Sequence, residues 1–356
     1  MSKTNEIIND SWLVEGNSEH PFVIAGPCSA ESEEQVLATA SELKKYGITH
    51  FRAGIWKPRT KPGGFEGVGR IGLDWLVAVK QQLGMRVCTE VANKEHVEAA
   101  LDAGIDVLWI GARTSANPFS VQEIADALKG NDVTVFVKNP VNPDVDLWLG
   151  AIQRIERAGI KRIGAIHRGF SQYRKTKYRN APCWQIAMEL RRLCPHIPMI
   201  CDPSHMGGKR EFIRPLSQTA IELGYDGLMI EAHRCPDDAL SDSKQQVTPE
   251  VLNSIISTLP KSRREGFVAE ELNRLRLAID NIDDEILSLL AKRLEASQAV
   301  GSIKRESGVP FFVPNRYDEL LSSRGDIGEK RGISKDFVVE LFRLIHSESV
   351  KTQLKS

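Results

Sequence analysis

From residue 21 onward, short and continuously apolar runs alternate with longer amphipathic stretches. The runs fall at residues 21–25, 49–53, 86–89, 107–110, 134–137, 162–166, 198–201 and 227–230. Hydrophobicity that is continuous rather than alternating marks strands buried on both faces. The helix-length connections at 33–46, 73–83, 94–103, 118–128, 145–158, 183–194 and 212–223 mark right-handed βαβ units. Eight repeats predict an α/β fold, a (β/α)8 TIM barrel. An open doubly wound sheet is the alternative, and the glycine fingerprint it would need is absent.

The pattern changes after Asp242. Residues 248–259 read as a last barrel helix, Pro260 breaks it, and 261–266 is a short charged linker. Leu272, Leu275, Ile279, Ile282, Ile286, Leu289 and Leu290 then recur three and four residues apart, on through Leu294, Val300 and Ile303, and no proline falls between 267 and 309. This predicts one helix of up to about 40 residues, roughly 60 Å long. A helix of that length with one apolar stripe needs a partner, and a second copy supplies it most simply. Gly308 and Pro310 end it; a short second helix is expected near 315–324 and a third, capped by Ser334, through Phe337, Leu341, Leu344 and Ile345. The expected organisation is a barrel at 1–260, a linker at 261–266 and an all-α three-helix domain at 267–356.

Composition changes this picture little. Lys plus Arg and Asp plus Glu both number 47 in 356 residues, so no net field draws nucleic acid or an anionic membrane, and any cationic site is local. There is no apolar run long enough to span a bilayer and no signal peptide, which predicts a cytoplasmic protein. The lead before residue 20 is short and polar, and no N-terminal regulatory domain is expected in it. Six cysteines without CxxC spacing argue against a zinc knuckle or a disulfide framework.

In a barrel, active-site residues sit at strand C-termini. Here those ends carry Cys28, Arg52, Glu90, Arg113, Lys138-Asn139, His167-Arg168, Asp202-Pro203-Ser204-His205 and Glu231-Ala232-His233, with Asp242 in the loop that follows. Two constellations result. Cys28, His205, Glu231 and Asp242 mix thiolate, imidazole and carboxylate, a set that suits a borderline divalent ion, Mn2+ first, with Fe2+, Co2+ or Zn2+ as alternatives, in an open catalytic site. Arg52, Lys57, Arg59, Arg113, Lys138 and Arg168 are cations converging on the same mouth. Their mutual repulsion predicts at least two bound, multiply charged small molecules, phosphorylated or carboxylated.

Gly26-Pro27-Cys28-Ser29, Lys57-Pro58-Arg59-Thr60, Ile110-Gly111-Ala112-Arg113-Thr114, Lys138-Asn139, His167-Arg168-Gly169, Asp202-Pro203-Ser204-His205 and Ile230-Glu231-Ala232-His233 resemble the 3-deoxy-D-arabino-heptulosonate 7-phosphate (DAHP) synthases of the type I beta-like kind, over about residues 20–245. The resemblance implies a metal-dependent condensation of phosphoenolpyruvate with erythrose 4-phosphate, the entry to the shikimate pathway. It implies that Arg52, Arg113, Lys138 and Arg168 hold phosphoenolpyruvate, and that Lys57, Arg59 and Thr60 handle the sugar phosphate, with Lys57 also near the reacting atoms. Glu90 or a phosphate oxygen is the expected base for the attacking water. Related synthases that use arabinose 5-phosphate or a mannosamine sugar are the alternative; by resemblance they carry an alanine-asparagine sequence where this chain has Pro58-Arg59-Thr60.

In the tail, about 100° per residue places Arg293 and Lys304 on one helix face and Arg276 elsewhere, as a residue serving a second copy's site would lie. The run from Leu275-Arg276 through Ile279-Asp280, Ile282-Asp283 and Leu289-Leu290-Ala291 to Arg293, with Ser349-Val350-Lys351-Thr352-Gln353, resembles the all-helical chorismate mutases over about 267–355. This implies rearrangement of chorismate to prephenate, in which cations stabilise charge on the ether oxygen. Arg276 of a second copy, Arg293 and Arg316 would grip carboxylates or frame the pocket, with Ser349 lining it, and Lys304 and Gln353 would face the ether oxygen. The chain departs from the family at Val313 and Tyr317, where an Asp and a Glu are usual. A bifunctional dimer with feedback by prephenate or chorismate is therefore expected; the alternative is a synthase whose tail only senses ligand and dimerises.

Overall fold

The structure, a computed structural model, describes residues 13, 21–57, 63–173, 176–260 and 269–355. The chain divides into two compact units, Met1–Arg263 and Arg264–Ser356.

In the first unit eight parallel strands close into a barrel in sequence order: β1 Phe22–Gly26, β2 His50–Arg52, β3 Arg86–Val91, β4 Val107–Ile110, β5 Thr134–Lys138, β6 Arg162–His167, β7 Met199–Cys201 and β8 Gly227–Glu231, with β8 pairing back to β1. The outer helices are α1 Glu33–Lys45, α2 Ile71–Leu83, α3 Lys94–Asp102, a short α4 Ala112–Ser115, α5 Pro118–Leu128, α6 Val145–Arg157, α7 Trp184–Leu193, a second short piece α8 Pro203–Gly207, α9 Ile213–Glu222 and α10 Pro249–Ile256. Side chains from Ser32, Asn93, Asn117, Asp144, Asp202 and Thr248 each accept a backbone N–H of the helix they precede, which satisfies donors that would otherwise be lost at the helix start.

Two apolar layers follow from the pleat. Val23, Phe51, Val87, Leu108, Val135, Ala165, Met199 and Leu228 face the helices, whereas Ile24, Cys88, Trp109, Phe136, Ile166, Ile200 and Met229 fill the barrel. Continuing the inward series toward the strands' carboxyl ends brings Arg52, Glu90, Lys138, Arg168, Asp202 and Glu231 to one mouth. Strands β3, β5, β6 and β8 run on to Val91, Lys138, His167 and Glu231, beyond their apolar runs. Glu90, Lys138 and Glu231 therefore sit in the ladder itself, which fixes their direction. Glycine is required at Gly26 (φ 150°), where a Cβ would lie 2.0 Å from the Arg52 carbonyl oxygen.

The second unit is three helices, α11 Ala269–Glu306, α12 Pro314–Lys330 and α13 Lys335–Lys355. The middle helix runs six residues past the expected 324, since Leu321, Gly325 and Gly328 form a buried face; Gly328 packs where a Cβ would lie 2.5 Å from Val338 Cγ2. The linker at 261–266 lies outside the described residues. Along α11, Leu275, Ile279, Ile282, Ile286 and Leu289 are exposed.

Candidate active sites

At the barrel mouth, Cys28, Glu231 and Asp242 each offer a ligand atom within 4.8 Å of the others. Cys28 Sγ lies 3.7 Å from Asp242 Oδ2 and 3.2 Å from Lys57 Nζ. His205 joins from α8, its Nε2 3.5 Å from Glu231 Oε1. That oxygen is buried and makes no hydrogen bond among the described residues, while Glu231 Oε2 accepts from Gln245 Nε2 at 2.7 Å. Asp242 has a left-handed backbone, φ 47°, and its Oδ1 is paired with Arg179 at 3.2 Å. A non-glycine residue held there costs of order 1–3 kcal/mol, a strain that clusters at functional sites. Burial pushes the Cys28 thiol up to about 11, with Glu231 adding and Lys57 opposing. Burial also raises Glu231, but His205 and Arg52 outweigh it and hold that carboxyl below its usual range.

The cations are arranged around this cluster. Arg52 is buried; its NH2 donates to the Cys28 carbonyl at 3.3 Å and lies 3.4 Å from Glu231 Oε1. Its Nε and NH1 are buried with no hydrogen-bond partner among the described residues. Lys138 Nζ meets Asp202 Oδ2 at 2.8 Å. Glu90 Oε2 accepts from Trp109 Nε1 at 2.8 Å. Arg168 is oriented through its backbone N–H, which donates to Asn139 Oδ1 at 2.7 Å. Burial draws its guanidinium down to about 10, against Asp202 and with help from Arg179 and Arg113. Arg113 lies on α4 with an exposed side chain, at the rim rather than in the well. Arg59 and Thr60 lie outside the described residues.

Part of this cationic charge is balanced within the protein. Asp202, Glu231 and Asp242 already pair with Lys138, Arg52 and Arg179. Open to ligands are the Arg52 nitrogens that have no hydrogen-bond partner among the described residues, with Lys57 and Arg168 beside them. Sequence reading gave no role to Asp202, Arg179, Gln245 or Trp109. Asp202 opens the Asp202-Pro203-Ser204-His205 run, and its place two residues after an inward Ile200 is the signal for it; Arg179 and Gln245 come from connecting segments whose closeness only the fold supplies.

In the helical unit, Arg293 NH1 donates to Ser349 Oγ and Lys304 Nζ to the Phe311 carbonyl at 2.9 Å. His346 lies beside both: burial draws its pKa below the ordinary value, and Arg293 and Lys304 add to this. Tyr317 packs on His346 with ring centroids 4.7 Å apart, so the position where the chain departs from pattern is part of this cluster. Gln353 is buried one turn beyond Ser349. Arg316 is exposed and pairs with Glu319 at 3.4 Å. Arg276 is exposed on α11, about 25 Å of helix away from Arg293 by the rise per residue, so one chain does not bring these two together.

Family comparisons agree with this division. The DAHP synthetase I family model matches residues 5–265, and the chorismate mutase type II model matches 275–354. The chain is 31% identical over 239 residues to a phospho-2-dehydro-3-deoxyheptonate aldolase of Thermotoga maritima, covering 67% of this chain and 69% of that one. It is 29% identical over 274 residues to a 2-dehydro-3-deoxyphosphooctonate aldolase of Desulfotalea psychrophila, covering 72% and 94%. Among solved structures, the Thermotoga maritima DAHP synthase matches with TM-score 0.60 and 30% identity, over 66% of each chain. A truncated form of 3-deoxy-D-arabino-heptulosonate 7-phosphate synthase from the same organism matches with TM-score 0.58 and 28% identity, over 72% of this chain and 87% of that one.

Proposed function

Because the chain belongs to the DAHP synthetase I family and ends in a type II chorismate mutase domain, we propose that its barrel condenses phosphoenolpyruvate with erythrose 4-phosphate and that its helical unit converts chorismate to prephenate. The observation that carries the first half is Arg52: a buried guanidinium with two nitrogens that have no hydrogen-bond partner among the described residues, beside a thiol and carboxylate cluster. Burying a charge costs several kcal/mol unless it is paired and its hydrogen bonds are made good; Glu231 and the Cys28 carbonyl take only NH2, so the other two nitrogens suit a ligand anion.

The donor set fits a divalent ion. One sulfur and two carboxylates lie within 4.8 Å of one another, an imidazole stands 3.5 Å from one of those carboxylates, and Glu231 Oε1 is buried without a hydrogen bond among the described residues. Cys28, His205, Glu231 and Asp242 would hold the ion, Mn2+ first among the candidates. When bound, it supplies Lewis-acid polarisation of the aldehyde. Arg52, Lys138 and Arg168, with Arg113 at the rim, grip the phosphate and carboxylate of phosphoenolpyruvate. Its C3 attacks the aldehyde carbon, and positive charge develops at C2. Water adds there, and the hemiketal phosphate collapses with release of inorganic phosphate. Lys57, 3.2 Å from Cys28 Sγ, stands where it can protonate the new alkoxide. Glu90, fixed by Trp109, or a phosphate oxygen takes the proton from water. Arg59 and Thr60 are assigned to the sugar phosphate.

In the helical unit, Arg293, Lys304, Ser349 and Gln353 form the pocket wall, with Arg316 at its edge. Arg276 comes from a second copy, which also covers the exposed apolar stripe of α11. We assign feedback by prephenate or chorismate to this unit. No helix among the described residues is long and apolar enough to cross a membrane, in keeping with a cytoplasmic assignment.

The second reading, an octulosonate phosphate synthase, rests on the 29% identity to the Desulfotalea protein. Competing erythrose 4-phosphate and arabinose 5-phosphate for limiting phosphoenolpyruvate separates the two. Faster consumption of the four-carbon sugar is expected, and faster consumption of the five-carbon sugar would overturn the reading.

A further inference from the structure

Trp109 is the third of four residues in β4, opposite Glu90 on β3 and Phe136 on β5. It is fully buried in the barrel, and at first sight it is only a large core side chain. Three contacts say otherwise. The Arg52 guanidinium carbon lies 4.8 Å from its ring centroid, Lys138 Nζ lies 5.7 Å from it, and its indole N–H donates to Glu90 Oε2 at 2.8 Å. One ring thus touches the two buried cations and the candidate base, which come from three different strands.

The choice of an aromatic ring here has a physical reason. Glu231 already meets NH2; a second carboxylate beneath Arg52 would stabilise the buried charge further, but it would occupy the remaining N–H donors and cancel the field that a substrate anion needs. The face of an indole attracts a cation through its quadrupole and leaves the donors free. This is the state of Arg52, whose NH2 is anchored to Cys28 and Glu231 while Nε and NH1 have no hydrogen-bond partner among the described residues. The anchors hold one nitrogen only, and the ring, 4.8 Å from the guanidinium carbon, is the further contact that confines the group. On its other side Glu90 is confined by Gly111, where a Cβ would come within 2.3 Å of Oε1.

We propose that Trp109 is the positioning residue of the anion site: its face sets Arg52 and Lys138 for phosphoenolpyruvate while its N–H aims Glu90. The inference rests on the function proposed above. The test uses the full chain with Mn2+, measuring phosphoenolpyruvate binding by calorimetry and kcat by phosphate release for W109F and W109M. W109F keeps a face and loses the N–H, so its phosphoenolpyruvate Kd should stay within about threefold while kcat falls about tenfold or more; W109M loses both, and its Kd should rise about tenfold. The KM for erythrose 4-phosphate should move less than about twofold in each, since the ring's cation and N–H contacts are to Arg52, Lys138 and Glu90 and not to Lys57.

A folded W109M that binds phosphoenolpyruvate as tightly as the unaltered chain would overturn the inference. If W109M lacks a thermal transition, W109F decides alone: unchanged kcat, or Kd rising in step with the loss of kcat, would overturn it. Failure of the unaltered chain to bind phosphoenolpyruvate would instead overturn the functional reading, and the inference with it.

Discussion

Asp202 holds His205 twice: its Oδ1 accepts the His205 backbone N–H at 3.0 Å, and its Oδ2 lies 2.7 Å from the ring Nδ1. The same Oδ2 takes Lys138 Nζ at 2.8 Å. One carboxylate therefore starts α8, orients the imidazole so that Nε2 points toward Glu231, and secures a substrate-binding cation. Burial works to raise this carboxyl, but His205 and Lys138 outweigh it and hold it well below the usual carboxylate range.

Asp202→Asn keeps the cap but loses the charge that orients ring and ammonium. Partners of this kind change metal affinity by roughly 10–100-fold. Titration of the full chain with Mn2+ should show a Kd raised by that factor; an unchanged Kd would remove Asp202 from the account.

Chelation should separate the two reactions. The barrel condensation should disappear with the metal and return when Mn2+ is restored, whereas chorismate turnover should be untouched, because that rearrangement needs only cations and shape. Cys28→Ala should behave like permanent chelation, with the melting temperature moved by only about 2–4 °C for a loss of about 1 kcal/mol.

His167 shows why neighbouring strand-end residues differ. It points away from the mouth, among Trp148, Phe170 and Trp184, with Nδ1 2.7 Å from the Tyr225 hydroxyl. Burial is the main cause that lowers its pKa from 6.5 to about 3. The unfolded chain then binds the extra proton between those values, so stability is full above pH 6.5 and falls by up to about 1.4 kcal/mol per pH unit below it. His167→Phe should be less stable at pH 7.5 by about 1–3 kcal/mol, because the buried Tyr225 hydroxyl loses its partner. It should also show a flatter loss of stability between pH 6 and 4. Equal slopes in denaturant melts of both proteins would contradict this.

Arg293→Ala should lower chorismate turnover about 100-fold or more, the usual cost of removing a charged donor from developing negative charge. The barrel reaction in the absence of prephenate should be unchanged, and its inhibition by prephenate should be lost in the same variant. Inhibition that persists would place the regulatory site elsewhere.

The barrel was legible in the sequence because buried parallel strands are continuously apolar and their polar ends stand out. Cys28, Arg52, Lys138, Arg168 and Glu231 could be read for that reason: each breaks an apolar run. Trp109 could not, since an indole inside such a run looks like packing until the cations above it are placed. Nor could Arg179 and Gln245, whose partners Asp242 and Glu231 are brought to them by loops. In the helical unit the apolar period announced three helices. The nearness of His346 to Arg293 and Lys304 depends instead on how α13 packs against α11.

The proposed function places both chemistries in one chain. It is tested most directly by one purified sample assayed twice, once for phosphate release from phosphoenolpyruvate with erythrose 4-phosphate, and once for prephenate formed from chorismate. Turnover in both assays, with only the first abolished by chelation, is the predicted result. Absence of condensation with erythrose 4-phosphate, or chorismate loss no faster than without protein, would contradict it.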